Sequence, residues 1–375
     1  MGERDLRKQI VEGARRLLVK VGSSLLVHLG EGIDRKYLDR LASEIVKLRE
    51  GGREVLLVSS GAIAAGMERL GFKRRPSSIS ELQATAAVGQ GLLMHLYQEA
   101  FSPKGIQVAQ VLLTHEDFRD RRRYLNARGT LLTLLKLGVI PVINENDSVA
   151  IEEIKLGDND TLAALTAGLV DAQLLIILTD VEGLFIGRPG EGRLLTLVRQ
   201  IDRELEAAVA GPRTEVGTGG MITKLRAASL ASKAGISTIV AKGTDPGILT
   251  ELLRGEVRGT LFLPSPGGLK GRKRWIGFNL KPRGTLIVDE GAKEAIVQRG
   301  KSLLPSGVKE VMGDFQRGDT VILVGPDGCE FAKGLVNYSS REIRGIMGHR
   351  SHEIEKILGY KYADEVIHRD NLVLL

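Results

Sequence analysis

Two lysines set among glycines define the chemistry this chain is equipped for. Lys20 interrupts the apolar run LLVKVGSSLLV, Leu17 to Val27. An ammonium in such a strand must lie at an edge, at the strand end or against an anion. Gly22 allows close backbone approach there, and Ser23 and Ser24 offer donors. The stretch has neither GxxxxGK[ST] nor GxGxxG spacing, so it supports neither fingerprint. Lys224 follows Gly217, Gly219 and Gly220 in VGTGGMITKLRAA, Val216 to Ala228. Consecutive amides in a glycine turn before a helix form an anion nest. Two separated cations suit a transferring phosphoryl group, which needs positioning and charge neutralisation more than covalent chemistry.

Acids and amides supply the counterpart. Between Asn144 and Asp160 stand six acids (Glu145, Asp147, Glu152, Glu153, Asp158, Asp160) and three asparagines (Asn144, Asn146, Asn159). That density at one strand end can hold magnesium, a substrate ammonium or both; a solvated acidic loop is the plain alternative. VSSGAIAAG, Val58 to Gly66, sets Ser59, Ser60 and Gly61 at a strand-to-helix junction. Free amides make such a junction an anion site, although it also serves as a simple cap. Thr179 and Asp180 close the run LLIILTD, where α/β ligand sites gather; Asp180 can equally cap the next turn. His28, His95, His115, His349, His352 and His368 do not cluster with Cys329 in a metal-like spacing, and no residue is singled out as a metal ligand.

These groups need a scaffold, and the hydropathy pattern describes one. Buried-type strands are expected at 17–27, 54–60, 106–113, 139–143, 174–180, 237–243 and 259–263, with helices at 34–50, 81–101, 124–137, 161–169 and 221–234. Residues 151–155 read as half of a small hairpin, and 184–197 as a hairpin excursion. Apolar strands alternating with helices imply a mainly parallel sheet covered on both faces. Beyond Pro264 the texture shifts to the short strands GTLIVDEGA, GDTVILVGPDG and EFAKGLVNYSS, the mark of a small β-barrel or sandwich. The expected layout is a catalytic domain over 1–264, a basic linker over 265–281 and a β-rich domain over 282–375.

Composition narrows the class. The chain has 375 residues, 43% of them hydrophobic, and a formal charge of +7. A single cysteine excludes an intrachain disulfide, no window reaches the roughly 18 apolar residues of a membrane span, and no apolar h-region precedes the first strand. A cytoplasmic location is expected. Lys270, Arg272, Lys273, Arg274, Lys281 and Arg283 form a basic stretch without an acid. It suits a hinge, an acidic neighbour or nucleic acid.

The motifs VKVGSS, VSSGAIAAG, PVINENDSVA, GDNDTLAAL, ILTDVEGLF and GTGGMITKLRAA stand together in an order that resembles the glutamate 5-kinase family of the amino acid kinase superfamily. The resemblance spans Leu17 to about Pro264. Residues from about Pro282 to Leu358 resemble a PUA domain. The resemblance implies an amino acid kinase fold plus a PUA-like barrel, and transfer of the ATP γ-phosphate to the glutamate side-chain carboxylate, with magnesium, as the first step of proline biosynthesis. It implies that Lys20 and Lys224 contact the ATP phosphates and that Asp160 orients the site. Ser60, Asp147 and Asn159 would bind glutamate. Thr179, Asp180, Gly219, Gly220 and Met221 would seat the nucleotide. Proline feedback inhibition and a homodimer or homotetramer are further implications. An acetylglutamate or aspartate kinase is the alternative enzyme. RNA binding through the C-terminal module is the alternative class, although its aromatics Phe315, Phe331 and Tyr338 are scattered.

Overall fold

The structure is a computed structural model that describes residues 2–28, 32–149, 159–186, 192–210, 219–265 and 282–375. The described residues divide into two compact units, 2–117 with 121–265 in one and 118–120 with 282–375 in the other.

The first unit begins with α1 (Glu3–Glu12), β1 (Arg16–Val21), the single turn α2 (Ser23–Leu26), the small pair β2 (Val27–His28) and β3 (Gly32–Ile33), and α3 (Arg35–Glu50). It continues with β4 (Glu54–Ser59), α4 (Ala62–Leu70), α5 (Ile79–Phe101), β5 (Val108–Leu113), α6 (His115–Arg119), α7 (Arg121–Lys136) and β6 (Ile140–Glu145). Then come α8 (Asn159–Leu169), β7 (Leu174–Thr179), β8 (Leu184–Ile186), β9 (Arg193–Leu195), β10 (Leu197–Val198), α9 (Arg203–Ala210), α10 (Gly219–Lys233), β11 (Ser237–Lys242), α11 (Ile248–Leu253) and β12 (Thr260–Phe262).

Eight strands form one sheet in the order β10-β12-β11-β7-β1-β4-β6-β5. Neighbours from β11 to β5 pair in parallel, and β12 runs antiparallel to β11. Because side chains alternate along a strand, each strand feeds both faces. Leu17, Val19 and Val21 join Ile176, Leu178 and Ile239 in a core shared with Leu41 and Ile45 of α3 and Leu93 and Tyr97 of α5. Lys20 is in register with Val58 and Ile177 and takes the opposite face, where α8 packs on β1, β7 and α10. The α4–α5 contact depends on Gly66 and Gly89. A methyl group on Gly89 would collide with the Ala62 carbonyl and the Gly66 amide, and one on Gly66 with the Thr85 carbonyl.

The apolar run from Leu17 to Val27 is not one strand. β1 stops at Val21, the Gly22 N–H donates to the Leu178 carbonyl at 3.1 Å, and Ser23 opens α2. Leu25 and Leu26 remain in the same core, so hydropathy does not mark the break. The 184–197 hairpin is present as β8 and β9. The half-hairpin expected at 151–155 and nearly all of the 265–281 linker lie outside the described residues.

The second unit holds β13 (Gly284–Val288), α12 (Glu290–Val297), β14 (Val308–Gly313), β15 (Thr320–Val324), β16 (Glu330–Leu335), α13 (Ser340–Ile346), α14 (Ile354–Leu358) and β17 (Leu372–Leu374). Its five-stranded sheet has the order β14-β13-β15-β16-β17. The strand expected to run through GTLIVDEGA ends at Val288, because the Asp289 carboxylate accepts the Ala292 N–H at 2.9 Å and starts a helix. Capping outweighs strand extension there.

Candidate active site

β1 is the strand at which the sheet order reverses. The chain proceeds outward from β1 through β4 to β5 and β6, then crosses back to place β7 and β11 on the other side. In open α/β sheets the crevice beyond the strand C-termini at such a point is the usual ligand site. Lys20 of β1, Ser59 of β4, Asn144 and Glu145 of β6, and Thr179 of β7 all stand at or next to these ends.

Lys20 and Lys224, 204 positions apart in sequence, converge on one carboxylate. Lys20 Nζ lies 2.7 Å from Asp160 Oδ1, and Lys224 Nζ lies 3.3 Å from Oδ2. Thr223 Oγ1 also donates to Oδ2, at 2.8 Å. Asp160 stands in the first turn of α8, where the helix dipole favours an anion. Burial by itself raises the Asp160 carboxyl, but Lys20 and then Lys224, with hydrogen bonds from Lys20 and Thr223, hold it below its ordinary range. The carboxylate is therefore ionised at neutral pH. It fixes two ammoniums at the crevice, and the trio as a whole is cationic.

Asn159, the residue before Asp160, reaches the neighbouring strand. Its Nδ2, with two hydrogens, is shared among three acceptors: Ser60 Oγ at 3.0 Å, the Ser59 carbonyl at 3.2 Å and Asn144 Oδ1 at 3.1 Å. Gly61 begins the turn into α4 with a φ of 100°, a left-handed conformation suited to glycine. Asp147 lies two residues past the end of β6. Its carboxyl is pushed up to about 6, first by burial and then by the charge of Glu145, with Arg75 opposing.

Residues 15–242 match the amino acid kinase family and residues 284–358 match the PUA domain. The glutamate 5-kinase of Geobacter sulfurreducens is 52% identical over 373 residues, covering 99% of this chain and 100% of its own. That of Burkholderia multivorans is 50% identical over 371 residues, covering 98% and 100%. The chain belongs to the glutamate 5-kinase family. Its fold is also that of carbamate kinase from Giardia lamblia bound to AMP-PNP, with a TM-score of 0.50 and 19% identity over 68% of this chain and 99% of that one.

The remaining residues implied by the family motifs fall on the β7 side of the crevice. Thr179 is buried and its Oγ1 donates to Oδ1 of the exposed Asp180 at 3.0 Å. Gly219, Gly220 and Met221 form the first turn of α10, whose leading amides lack intrahelical acceptors. The Gly220 carbonyl accepts from Lys224 Nζ at 3.1 Å, which ties Lys224 back to its own turn, and lies 2.9 Å from Thr223 Oγ1 as the alternative acceptor for that hydroxyl. Gly217 lies outside the described residues, as do Glu152, Glu153 and Asp158 of the acidic stretch. Ser23 and Ser24, read as donors beside Lys20, are exposed in α2.

Several groups at this crevice carry no signal in the sequence motifs. Thr223 sits inside GTGGMITKLRAA, yet its contact with Asp160 depends on α8 and α10 packing together. Asn144 stands in the polar stretch 144–160, where neither its type nor its position marks its contacts with Gln90 and Asn159. Tyr97, whose hydroxyl lies 2.9 Å from Ser59 Oγ, reads in sequence as one more apolar position of α5. The helical periodicity that buries Tyr97 gives no sign of that hydroxyl contact.

Proposed function

We propose that the chain transfers the γ-phosphoryl group of ATP to the side-chain carboxylate of L-glutamate, giving L-glutamyl 5-phosphate and ADP, the reaction that opens proline biosynthesis. The supporting observation is the convergence of Lys20 and Lys224 on Asp160, one residue from the Asn159–Ser60 contact. On this reading the two ammoniums take the phosphate side, and Ser60, Asn159 and Asp147 take the amino acid.

The attacking carboxylate is already ionised near neutral pH, so the step needs no general base. A carboxylate oxygen forms a bond to the γ-phosphorus while the bond from that phosphorus to the β,γ-bridging oxygen breaks, and ADP leaves with the electron pair. The obstacle is the approach of an anion to a polyanion. Lys20 and Lys224 lower it by lying where negative charge gathers, in a crevice that excludes much of the water that would screen them. Asp160 sets their separation. The leading amides of α10 and the Thr179–Asp180 corner seat the nucleotide, and Asp147 pairs with the substrate ammonium. Both Asp160 oxygens already face ammoniums, so magnesium fits this donor set as an ion carried on the nucleotide phosphates. There it would add charge neutralisation.

Proline as a feedback inhibitor, a homodimer or homotetramer, and a cytoplasmic location belong to the same reading. They are supported by kinship with the glutamate 5-kinases, and no helix among the described residues is long and apolar enough to cross a membrane. The test is ADP release measured with glutamate, aspartate or N-acetylglutamate, each with and without magnesium and proline. Turnover with glutamate and magnesium is expected. Turnover with N-acetylglutamate or aspartate in preference to glutamate would overturn the assignment.

A further inference from the structure

Beneath Ser60 and Asn159 runs a chain of buried amides that begins on α5. Asn144 Nδ2 donates to Gln90 Oε1 at 2.8 Å, and Asn144 Oδ1 accepts from Asn159 Nδ2 at 3.1 Å. That same Asn159 nitrogen reaches Ser60 Oγ at 3.0 Å. Gln90, Asn144 and Asn159 are all buried, from 2% to 7% exposed, so each misplaced donor would carry a desolvation cost.

The orientation of these amides follows from the backbone. The Glu145 N–H can only donate, and it meets Asn144 at 2.9 Å, so the Asn144 atom there is its oxygen. The Ser59 carbonyl can only accept, and it meets Asn159 at 3.2 Å, so the Asn159 atom there is its nitrogen. Asn144 must therefore offer its nitrogen to Gln90, and Gln90 must answer with its oxygen. The Gln90 nitrogen has no hydrogen-bond partner among the described residues. Of the two polar atoms of Gln90, only the carbonyl is used.

We propose that Gln90 is a positioning residue for the amino-acid substrate: its carbonyl orders Asn144, which holds Asn159 and through it Ser60 in place to bind glutamate. On this reading Gln90 acts through Asn144 rather than by touching either substrate. The same helix supports this wall a second time, through Tyr97 and the Ser59 hydroxyl, seven residues and about two turns along one face. Gly89, in contact with Ala62 and Gly66, lets α5 come close enough to α4 for these side chains to meet the strand ends. The inference rests on the glutamate side of the function proposed above.

Three substitutions of Gln90, and one of Asn159, test it in the full chain, with KM for glutamate, KM for ATP, kcat and thermal midpoint measured for each. Gln90→Met keeps the length and loses the acceptor; it should raise the glutamate KM roughly tenfold, since Asn144 loses a buried partner, with the ATP KM within about twofold of wild type. Gln90→Glu keeps an acceptor oxygen but sets a carboxyl group in a buried site, so its glutamate KM should rise less than that of Gln90→Met, by about threefold or more. Gln90→Asn draws the carbonyl back by one methylene and replaces Gln90→Met in the comparison if that variant does not fold. In a double-mutant cycle, Gln90→Met should add little to the glutamate KM of Asn159→Ala, because the two act in series. An unchanged glutamate KM in Gln90→Met, an equal rise in both KM values, or equal losses in Gln90→Met and Gln90→Glu would overturn the proposal. Absence of glutamate-dependent ADP release in the wild type would instead overturn the function on which it rests.

Discussion

Asp160 Oδ1 lies 2.7 Å from the Lys20 ammonium, joining the first turn of α8 to the strand at which the sheet reverses. Both side chains are nearly buried, and removing one partner of such a pair leaves the other charge uncompensated. Asp160→Asn should cost about 3 kcal/mol of unfolding free energy and lower kcat on the order of 10²-fold. The Asp160 carboxyl is held below its ordinary 3.8 in the folded chain, so its contribution is fully present above that value and is lost as pH falls through the lower, folded one. The stability gap between wild type and Asp160→Asn should stay flat from neutral pH down to about pH 4 and narrow below it. Denaturant titrations across pH check this; a gap that widens on acidification would refute it.

Lys224 should act on the rate rather than on glutamate binding. Lys224→Ala is expected to lower kcat on the order of 10²–10³-fold, the usual loss for one preorganised charge contact, with little change in glutamate KM. Steady-state kinetics with glutamate varied at saturating ATP distinguish the two parameters. An unchanged kcat would remove Lys224 from the reacting centre.

Asp147 gives the amino-acid side a pH dependence. Burial and Glu145 push its carboxyl up to about 6, so below that pH it is neutral and unable to pair with an ammonium. The kcat/KM for glutamate should therefore fall as pH drops through about 6, while kcat at saturating glutamate changes less. Asp147→Asn should raise the glutamate KM at neutral pH and erase the inflection. An inflection that survives the substitution would assign it to another group.

Gly89 has no space for a side chain against Ala62 and Gly66. Gly89→Ala should destabilise the chain by about 1–3 kcal/mol, the range for overpacking a filled contact, and more if α4 cannot shift. Thermal or urea unfolding measures the loss. Stability equal to wild type would mean that the α4–α5 contact yields without cost.

Much of this architecture is readable from hydropathy and turn chemistry. α3 shows Leu38, Leu41, Ile45 and Leu48 at helical spacing after the cap Asp34, whose carboxylate accepts the Tyr37 N–H at 2.9 Å. β7 is apolar throughout because helices cover both of its faces. α1 was not legible, since it is anchored less by an apolar stripe than by buried Arg7, which donates to the Arg258 and Gly259 carbonyls at 2.8 and 3.0 Å. An arginine in a sequence reads as surface. At the site, charge and glycine spacing identify Lys20, Lys224 and the acidic stretch, because ionic groups inside apolar or glycine-rich runs are conspicuous. Gln90 and Tyr97 are not conspicuous. Their roles depend on which strand ends α5 crosses, a consequence of tertiary packing that no local pattern encodes.

The reversal of strand order at β1 divides labour along the chain. Groups assigned to the acceptor come from residues 60–159, groups assigned to the donor come from residues 179–224, and Lys20 and Asp160 stand at the seam. A chain built this way can be recut for a different acceptor by altering the stretch between β4 and α8 while the triphosphate machinery stays intact. On the proposed reading, the stretch between β4 and α8 chooses the acid, and the groups that follow it in the chain supply the phosphoryl group.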